Sequence, residues 1–130
     1  MKISVLGAGA MGSLFGGYLT AAGYDVWLID IRAEHVRAMN SDGLIIEEVT
    51  GLRRVPVKAT TDPVEAGPCD LVMVFVKAYD TDSAVRGARA LFREGTIVLS
   101  LQNGLGNLEA ISAAVGRDRV LIGVTAQGAT

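Results

Sequence analysis

The chain consists mainly of short apolar runs separated by segments with helical periodicity. Residues 71–76 (LVMVFV) are an unbroken apolar run, which is typical of a central strand covered on both faces. Residues 25–29 (DVWLI) and 96–101 (TIVLSL) predict two more strands. Because strands and helices alternate, the predicted fold class is α/β: a Rossmann-type doubly wound parallel sheet with helices on both faces.

The first helix is predicted directly after an opening strand, residues 3–6. It carries an apolar stripe at helical spacing, formed by Leu14, Phe15, Tyr18, Leu19 and Ala22. Gly23 then stands where a C-terminal cap belongs. A second helix is predicted from Ala33 to about Asp42. Two short β segments follow, at residues 44–49 and 55–59, with a turn predicted at residues 50–51.

A glycine-rich turn joins the opening strand to the first helix. It has the GxGxxG spacing and consists of Gly7, Ala8, Gly9, Ala10, Met11 and Gly12. In this motif Gly7 makes the tight turn, Gly9 lets a phosphate approach and Gly12 lets the helix pack on the strand. An ordinary strand-to-helix turn is the alternative, but the strand before it and the helix after it favour a site for a dinucleotide pyrophosphate.

The second strand ends at Asp30, where such a site needs an acidic residue for the adenosine ribose. A carboxylate that accepts hydrogen bonds from both ribose hydroxyls favours NAD. It would repel the 2′-phosphate of NADP unless an arginine neutralised that phosphate, and Arg32 is close enough to do so. A solvated strand end and a surface arginine are the alternatives for these two residues.

Polar residues follow three later strands. Lys77 comes after one buried run, Asn103 lies in a QNGLG segment after the next, and Gln127 follows the last. Because the carboxyl ends of parallel strands meet at one edge, we expect them at the mouth that receives the cofactor. A solvated lysine and an ordinary Asn-Gly turn are the alternatives.

Composition fits one globular domain over residues 1–130, since half of the residues are hydrophobic and a fifth are charged. The net charge is −2 and no basic stripe is present, which argues against nucleic acid as a partner. The single Cys69 has no neighbours at metal-ligand spacing, so no metal is expected and a reducing compartment is indicated. No apolar run is long enough to span a membrane, and we expect a cytoplasmic protein.

Four segments together resemble the N-terminal domain of ketopantoate reductases (2-dehydropantoate 2-reductases). They are GAGAMG at 7–12, VKAYDTDSAV at 76–85, LQNGLGNLEAI at 101–111 and RVLIGVTAQGAT at 119–130. The resemblance implies that NADPH is bound and that hydride passes to the keto carbon of 2-dehydropantoate, on the route to coenzyme A. It also implies that Lys77 and Asn103 line the catalytic nicotinamide and substrate end and that Ala129 approaches the cofactor.

The chain departs from the family pattern in two ways. Many members have Ala-Arg where this chain has Asp30-Ile31, which tilts the expected preference slightly from NADPH toward NADH, unless Arg32 takes the phosphate. The family also has a helical C-terminal domain that supplies the proton donor. We therefore expect a fragment of a two-domain enzyme that binds the cofactor, has little activity alone and can form a homodimer.

Two other functions stay open from the sequence. One is reduction of a different 2-oxo acid within the same superfamily, because the residues that specify the substrate lie mostly beyond this chain. The other is a regulatory module that senses NAD and needs no acid, only a ligand-dependent change of shape. The QNGLG segment and Lys77 favour the reductase, because a sensor has no chemical reason to carry them.

Overall fold

The computed structural model describes residues 1–75, 87–100 and 120–122. Their elements in chain order are β1 (Lys2–Leu6), α1 (Ala10–Ala21), β2 (Asp25–Ile29), α2 (Ala33–Asp42), β3 (Leu44–Glu48), β4 (Gly51–Val55), β5 (Lys58–Thr60), α3 (Pro63–Ala66), β6 (Leu71–Val74), a short 3₁₀ helix (Arg89–Leu91), β7 (Ile97–Ser100) and β8 (Val120–Ile122).

Six parallel strands form the main sheet in the order β5-β2-β1-β6-β7-β8. The chain proceeds outward from β1 through β2 to β5, then returns to the other side of β1 and continues outward from β6. This is the strand order of the doubly wound dinucleotide-binding fold, and it confirms the predicted fold class. The order reverses between β1 and β6, where Leu6 lies between Ile29 and Val74, so a crevice for a ligand is expected beyond their carboxyl ends.

Alternate residues of each strand enter two separate cores, one on each face of the sheet. Ile3 and Val5 pack with residues of α1 and α2, whereas Leu6 packs with the buried Ala66 of α3 and Leu91 of the 3₁₀ helix. Helical segments therefore cover both faces. This explains why the central strands are almost continuously apolar.

The buried face of α1 differs from the predicted one. Its buried residues are Gly12, Gly16 and Gly17, whereas Tyr18 is 40% exposed and Ala22 lies outside the helix. A Cβ atom on Gly16 would overlap the Leu28 side chain, and one on Gly17 would lie 2.8 Å from Ile46 Cδ1. The helix thus approaches the sheet and the hairpin more closely than a stripe of large side chains allows. Of the predicted apolar stripe, Phe15 and Leu19 do pack against the core, whereas the prediction was wrong for Tyr18 and Ala22.

The predicted second β segment, 55–59, was also wrong. The antiparallel hairpin consists of β3 and β4, so its second strand begins at Gly51 and ends at Val55. Residues 58–60 instead form β5, which pairs in parallel with β2 at the edge of the main sheet. Pro56 lies between the two strands, and because proline cannot donate to a ladder, it ends the hairpin there.

Cys69 is fully buried and makes no disulfide. Its Sγ lies 2.8 Å from Ser4 Oγ, and burial raises the pKa of this thiol. Such a thiol is a packing residue. In the part of the chain that the structure describes, no helix has the length and apolar character to cross a membrane.

Candidate dinucleotide-binding site

The glycine-rich turn lies at the carboxyl end of β1, next to the point where the strand order reverses. Gly7 has a φ of +98° and donates its N–H to the carbonyl oxygen of Ile29 at 2.8 Å. A Cβ on Gly12 would overlap the Gly7 carbonyl oxygen. A Cβ on Gly9 would meet nothing within 4 Å, and Gly9 is exposed. The first and third glycines are therefore required by the fold, whereas the second leaves open space.

Ala8 fastens this turn to the loop after β2. It is fully buried, and its N–H donates to Asp30 Oδ2 at 2.9 Å. Its carbonyl oxygen lies 2.9 Å from Ser13 Oγ, which donates to it, and 2.7 Å from His35 Nε2. Both peptide groups of Ala8 thus have partners from outside the turn, which fixes the position of the turn before any ligand arrives.

Asp30 is almost completely buried, with 8% of its surface exposed. It accepts four hydrogen bonds. Oδ1 accepts from Arg32 N–H at 2.9 Å and Arg32 Nε at 2.8 Å, and Oδ2 accepts from Ala8 N–H at 2.9 Å and Arg32 Nη2 at 2.9 Å. Burial alone would raise the pKa of this carboxyl. The hydrogen bonds from Arg32 and Ala8 outweigh burial and lower the pKa to about 2.

This arrangement differs from the one expected for Asp30. An ionised carboxylate accepts about four hydrogen bonds, and all four positions on Asp30 are used inside the protein. Arg32, whose side chain is 58% exposed, lies between the carboxylate and solvent. In the conformation described, the group presented at the end of β2 is therefore a cation, not a free ribose acceptor.

His35, the single histidine of the sequence, lies in the first turn of α2. In the structure His35 is half-buried and bonded to the Ala8 carbonyl. Ser13, which also bonds that carbonyl, was not recognised. The His35 contact connects two loops that meet only when β1 and β2 pair, whereas the Ser13 contact is local, between residues five positions apart.

The remaining predicted site residues fall into two groups. Ala10 is exposed and Met11 is half-buried, both at the start of α1. Lys77, Asn103 and Ala129 lie outside the described residues, as does Gln127, so their roles stay predictions. Among the described residues no group of three or more His, Cys, Asp or Glu side chains could hold a metal ion.

The lowered pKa of Asp30 predicts a loss of stability in acid. The pKa is about 2 in the folded chain and 3.8 ordinarily, so the stabilisation is present above pH 3.8 and is lost as pH falls toward 2. The shift corresponds to about 2 kcal/mol. We expect Asp30→Asn to lack this contribution and to show a flatter dependence of unfolding free energy on pH in that window. Urea unfolding at a series of pH values measures this dependence.

Asp42→Asn is the matched control, because Asp42 is exposed at the end of α2. It should retain the acid dependence of the unmodified chain. Equal pH dependence in the two variants would contradict the assigned role of Asp30.

Comparison with known proteins agrees with this geometry. A sequence model of the family described as ketopantoate reductase PanE/ApbA matches residues 3–130. The 2-dehydropantoate 2-reductase of Pyrococcus horikoshii is 48% identical over 129 residues, which cover 99% of this chain and 41% of that protein. The 2-dehydropantoate 2-reductase of Halobacterium salinarum is 43% identical over 132 residues, which cover 99% of this chain and 43% of that protein. The chain thus spans about two fifths of the length of these relatives.

Solved structures give the same result. A 2-dehydropantoate 2-reductase from Geobacter metallireducens superimposes with a TM-score of 0.85 at 36% identity, over 94% of this chain and 40% of that one. A D-mandelate dehydrogenase with NADH and anilino(oxo)acetate superimposes with a TM-score of 0.88 at 33% identity, over 95% of this chain and 40% of that one. With both its sequence and its strand order matched, the chain belongs to the ketopantoate reductase family of NAD(P)-dependent oxidoreductases and corresponds to its N-terminal domain.

Proposed function

We propose that this chain is the cofactor-binding half of an NAD(P)H-dependent 2-dehydropantoate 2-reductase. The observation that carries the proposal is the glycine-rich turn at the carboxyl edge of β1, fastened through Ala8 to Asp30 at the end of β2. A dinucleotide needs its pyrophosphate at the first of these places and its adenosine ribose at the second. The relatives of this sequence carry the name of that reductase.

The residues of this chain bind and orient the reactants. The N-terminus of α1 and the open space at Gly9 receive the pyrophosphate, since unpaired N–H groups at a helix start favour an anion. We assign Lys77 and Asn103 to the nicotinamide and substrate end, and Ala129 to the cofactor wall. The reduced nicotinamide supplies the hydride. The keto carbon accepts it, and the oxygen must then receive a proton from a positioned acid.

We further propose that the folded arrangement favours NADPH. The sequence alone tilted the preference toward NADH because of Asp30. However, the Asp30 carboxylate is neutralised by Arg32, so it no longer repels a 2′-phosphate. The exposed guanidinium adds a charged donor at the place where that phosphate arrives.

Parallel calorimetric titration of the chain with NADPH and NADH tests binding. We expect both to bind and NADPH to bind more tightly. With 2-dehydropantoate present, we expect oxidation of NADPH at least about 100-fold slower than by an intact relative, because a missing general acid costs about that much. Absence of binding to either dinucleotide would contradict the proposal, and turnover at the rate of an intact relative would contradict the expected low activity.

A second candidate function is reduction of a different 2-oxo acid. It is favoured by the similarity to D-mandelate dehydrogenase, whose solved complex contains NADH and anilino(oxo)acetate. A panel of 2-oxo acids, assayed with the longest natural protein that contains this chain, discriminates the two functions. A sensing module, the third possibility, predicts NAD binding without turnover of any of these acids.

A further inference from the structure

The four hydrogen bonds to Asp30 divide into two kinds. Each carboxylate oxygen accepts one bond from a backbone N–H and one from the Arg32 side chain. The backbone donors are Ala8 N–H for Oδ2 and Arg32 N–H for Oδ1. They belong to fixed parts of the fold, the glycine-rich turn and the entry to α2. The side-chain donors belong to a guanidinium whose side chain is 58% exposed.

Withdrawal of the Arg32 side chain would therefore have a specific result. It would free one acceptor position on each oxygen of Asp30, while the two backbone bonds would keep the carboxylate in place. An adenosine ribose that lacks a 2′-phosphate presents two neighbouring hydroxyls, and a carboxylate can accept one bond from each with its two oxygens. The vacated positions match this diol in number and in kind.

The Arg32 side chain, when it is bound to Asp30, is suited to NADPH. Arginine has five N–H donors. Nε and Nη2 are used on Asp30, with a longer contact of 3.4 Å from Nη2 to the Ala8 carbonyl. Among residues 1–75, 87–100 and 120–122, nothing accepts a hydrogen bond from Nη1. A docked Arg32 thus retains donors for a 2′-phosphate without releasing Asp30.

We propose that Arg32 is a specificity switch: docked on Asp30 it selects NADPH, and withdrawn from Asp30 it uncovers the acceptor that binds NADH. This inference rests on the proposed function and extends it. It makes Asp30 a concealed NADH determinant. It also makes NADH binding weaker than the contacts of the ribose would allow, because part of the binding free energy is used to open the ion pair.

The variant Arg32→Ala tests the switch, with Arg37→Ala as the matched control. Arg37 is an exposed arginine of α2, the helix that Arg32 precedes, so each variant removes one exposed positive charge. We expect Arg32→Ala to bind NADPH at least about tenfold more weakly, since a charge-assisted hydrogen bond is lost. The same variant should bind NADH at least about threefold more tightly than the unmodified chain, because no ion pair must open. Arg37→Ala should change the ratio of the two dissociation constants little.

The double variant Arg32→Ala/Asp30→Asn shows whether the gain for NADH acts through Asp30. An amide offers one acceptor oxygen, so the gain should disappear. Far-ultraviolet circular dichroism and the melting temperature identify any variant that fails to fold. Arg32→Gln, which keeps a long side chain without the charge, then replaces Arg32→Ala, both alone and in the double variant.

The outcomes separate the two proposals. If Arg32→Ala and Arg32→Gln weaken NADPH binding and leave NADH binding unchanged or weaker, Arg32 is a phosphate clamp alone and the switch is wrong, while the proposed function stands. A gain for NADH that persists in the double variant also overturns the switch. If the unmodified chain binds neither dinucleotide, the proposed function fails and the switch fails with it.

Discussion

Replacement of Gly12 by alanine is expected to destabilise the chain more than any other single methyl group added to the glycine-rich turn. The new Cβ would overlap the Gly7 carbonyl oxygen and press on Val5 Cγ1 at 3.2 Å. The obstructing atom is backbone, so α1 must move away from β1. Overpacking of this kind costs about 3 kcal/mol, and the melting temperature should fall by roughly 10 °C. Dinucleotide binding should be lost with the displaced helix.

Gly9→Ala is the matched control for this prediction. It adds the same atom three residues earlier, where nothing lies within 4 Å. Its melting temperature should fall by a few degrees at most, because Gly9 is the N-cap of α1 and alanine is a weaker N-cap than glycine. Inside a helix, alanine is favoured over glycine by about 1 kcal/mol. The expected fall in the stability of Gly12→Ala therefore occurs although helix propensity alone would raise it. A Gly12→Ala variant as stable as the Gly9→Ala variant would show that the close contact between α1 and β1 does not limit stability.

The second large effect concerns Gly9 itself, and it is mainly an effect on binding. Gly9 is exposed, with a φ of −74° that alanine adopts without strain. The folded chain therefore tolerates the methyl group, but an arriving pyrophosphate would collide with it. We expect the affinity of Gly9→Ala for NADPH to fall by more than about tenfold, or 1.4 kcal/mol, while the loss of the glycine N-cap lowers the melting temperature only slightly. Titration calorimetry measures the affinity and thermal unfolding measures the melting temperature, on the same preparation.

Gly9→Ser sharpens this test. Gly9 is the N-cap of α1 and makes no side-chain capping bond, whereas serine at an N-cap bonds the first turn and stabilises a helix by a few tenths of a kcal/mol relative to glycine. Stability should thus rise slightly while affinity falls. Unchanged affinity in both Gly9 variants would mean that the pyrophosphate does not approach this residue.

Sequence reasoning succeeded where the determining interactions are local. The glycine spacing predicted a strand, a turn and a helix, because a turn with positive φ at Gly7 and a small residue at Gly12 depend on neighbours a few positions away. Continuous apolar strands implied a sheet covered on both faces, and the two separate cores confirm it. The family motifs were also readable, since they are contiguous segments of the sequence.

Prediction failed where distant segments meet. Helical spacing correctly indicated that Phe15 and Leu19 pack against the core. It did not indicate that the closest contacts of α1, with Leu28 and Ile46, require glycines. Residues 58–59 were predicted as the end of the second short β segment, whereas residues 58–60 form the separate edge strand β5, which pairs with β2. Neither requirement is visible within a window of neighbouring residues.

The sequence by itself determined that Asp30 follows the second strand and that Arg32 stands nearby, which leaves both dinucleotides possible. Only the tertiary structure decided how these residues combine. Pairing of β1 with β2 brings the Ala8 N–H to Asp30, and burial of that carboxylate requires that its acceptor positions be filled. The Arg32 side chain fills two of them. The charge that a cofactor meets is set by this ion pair within one loop, and the Ala8 N–H of the neighbouring turn fixes the carboxylate that the arginine covers.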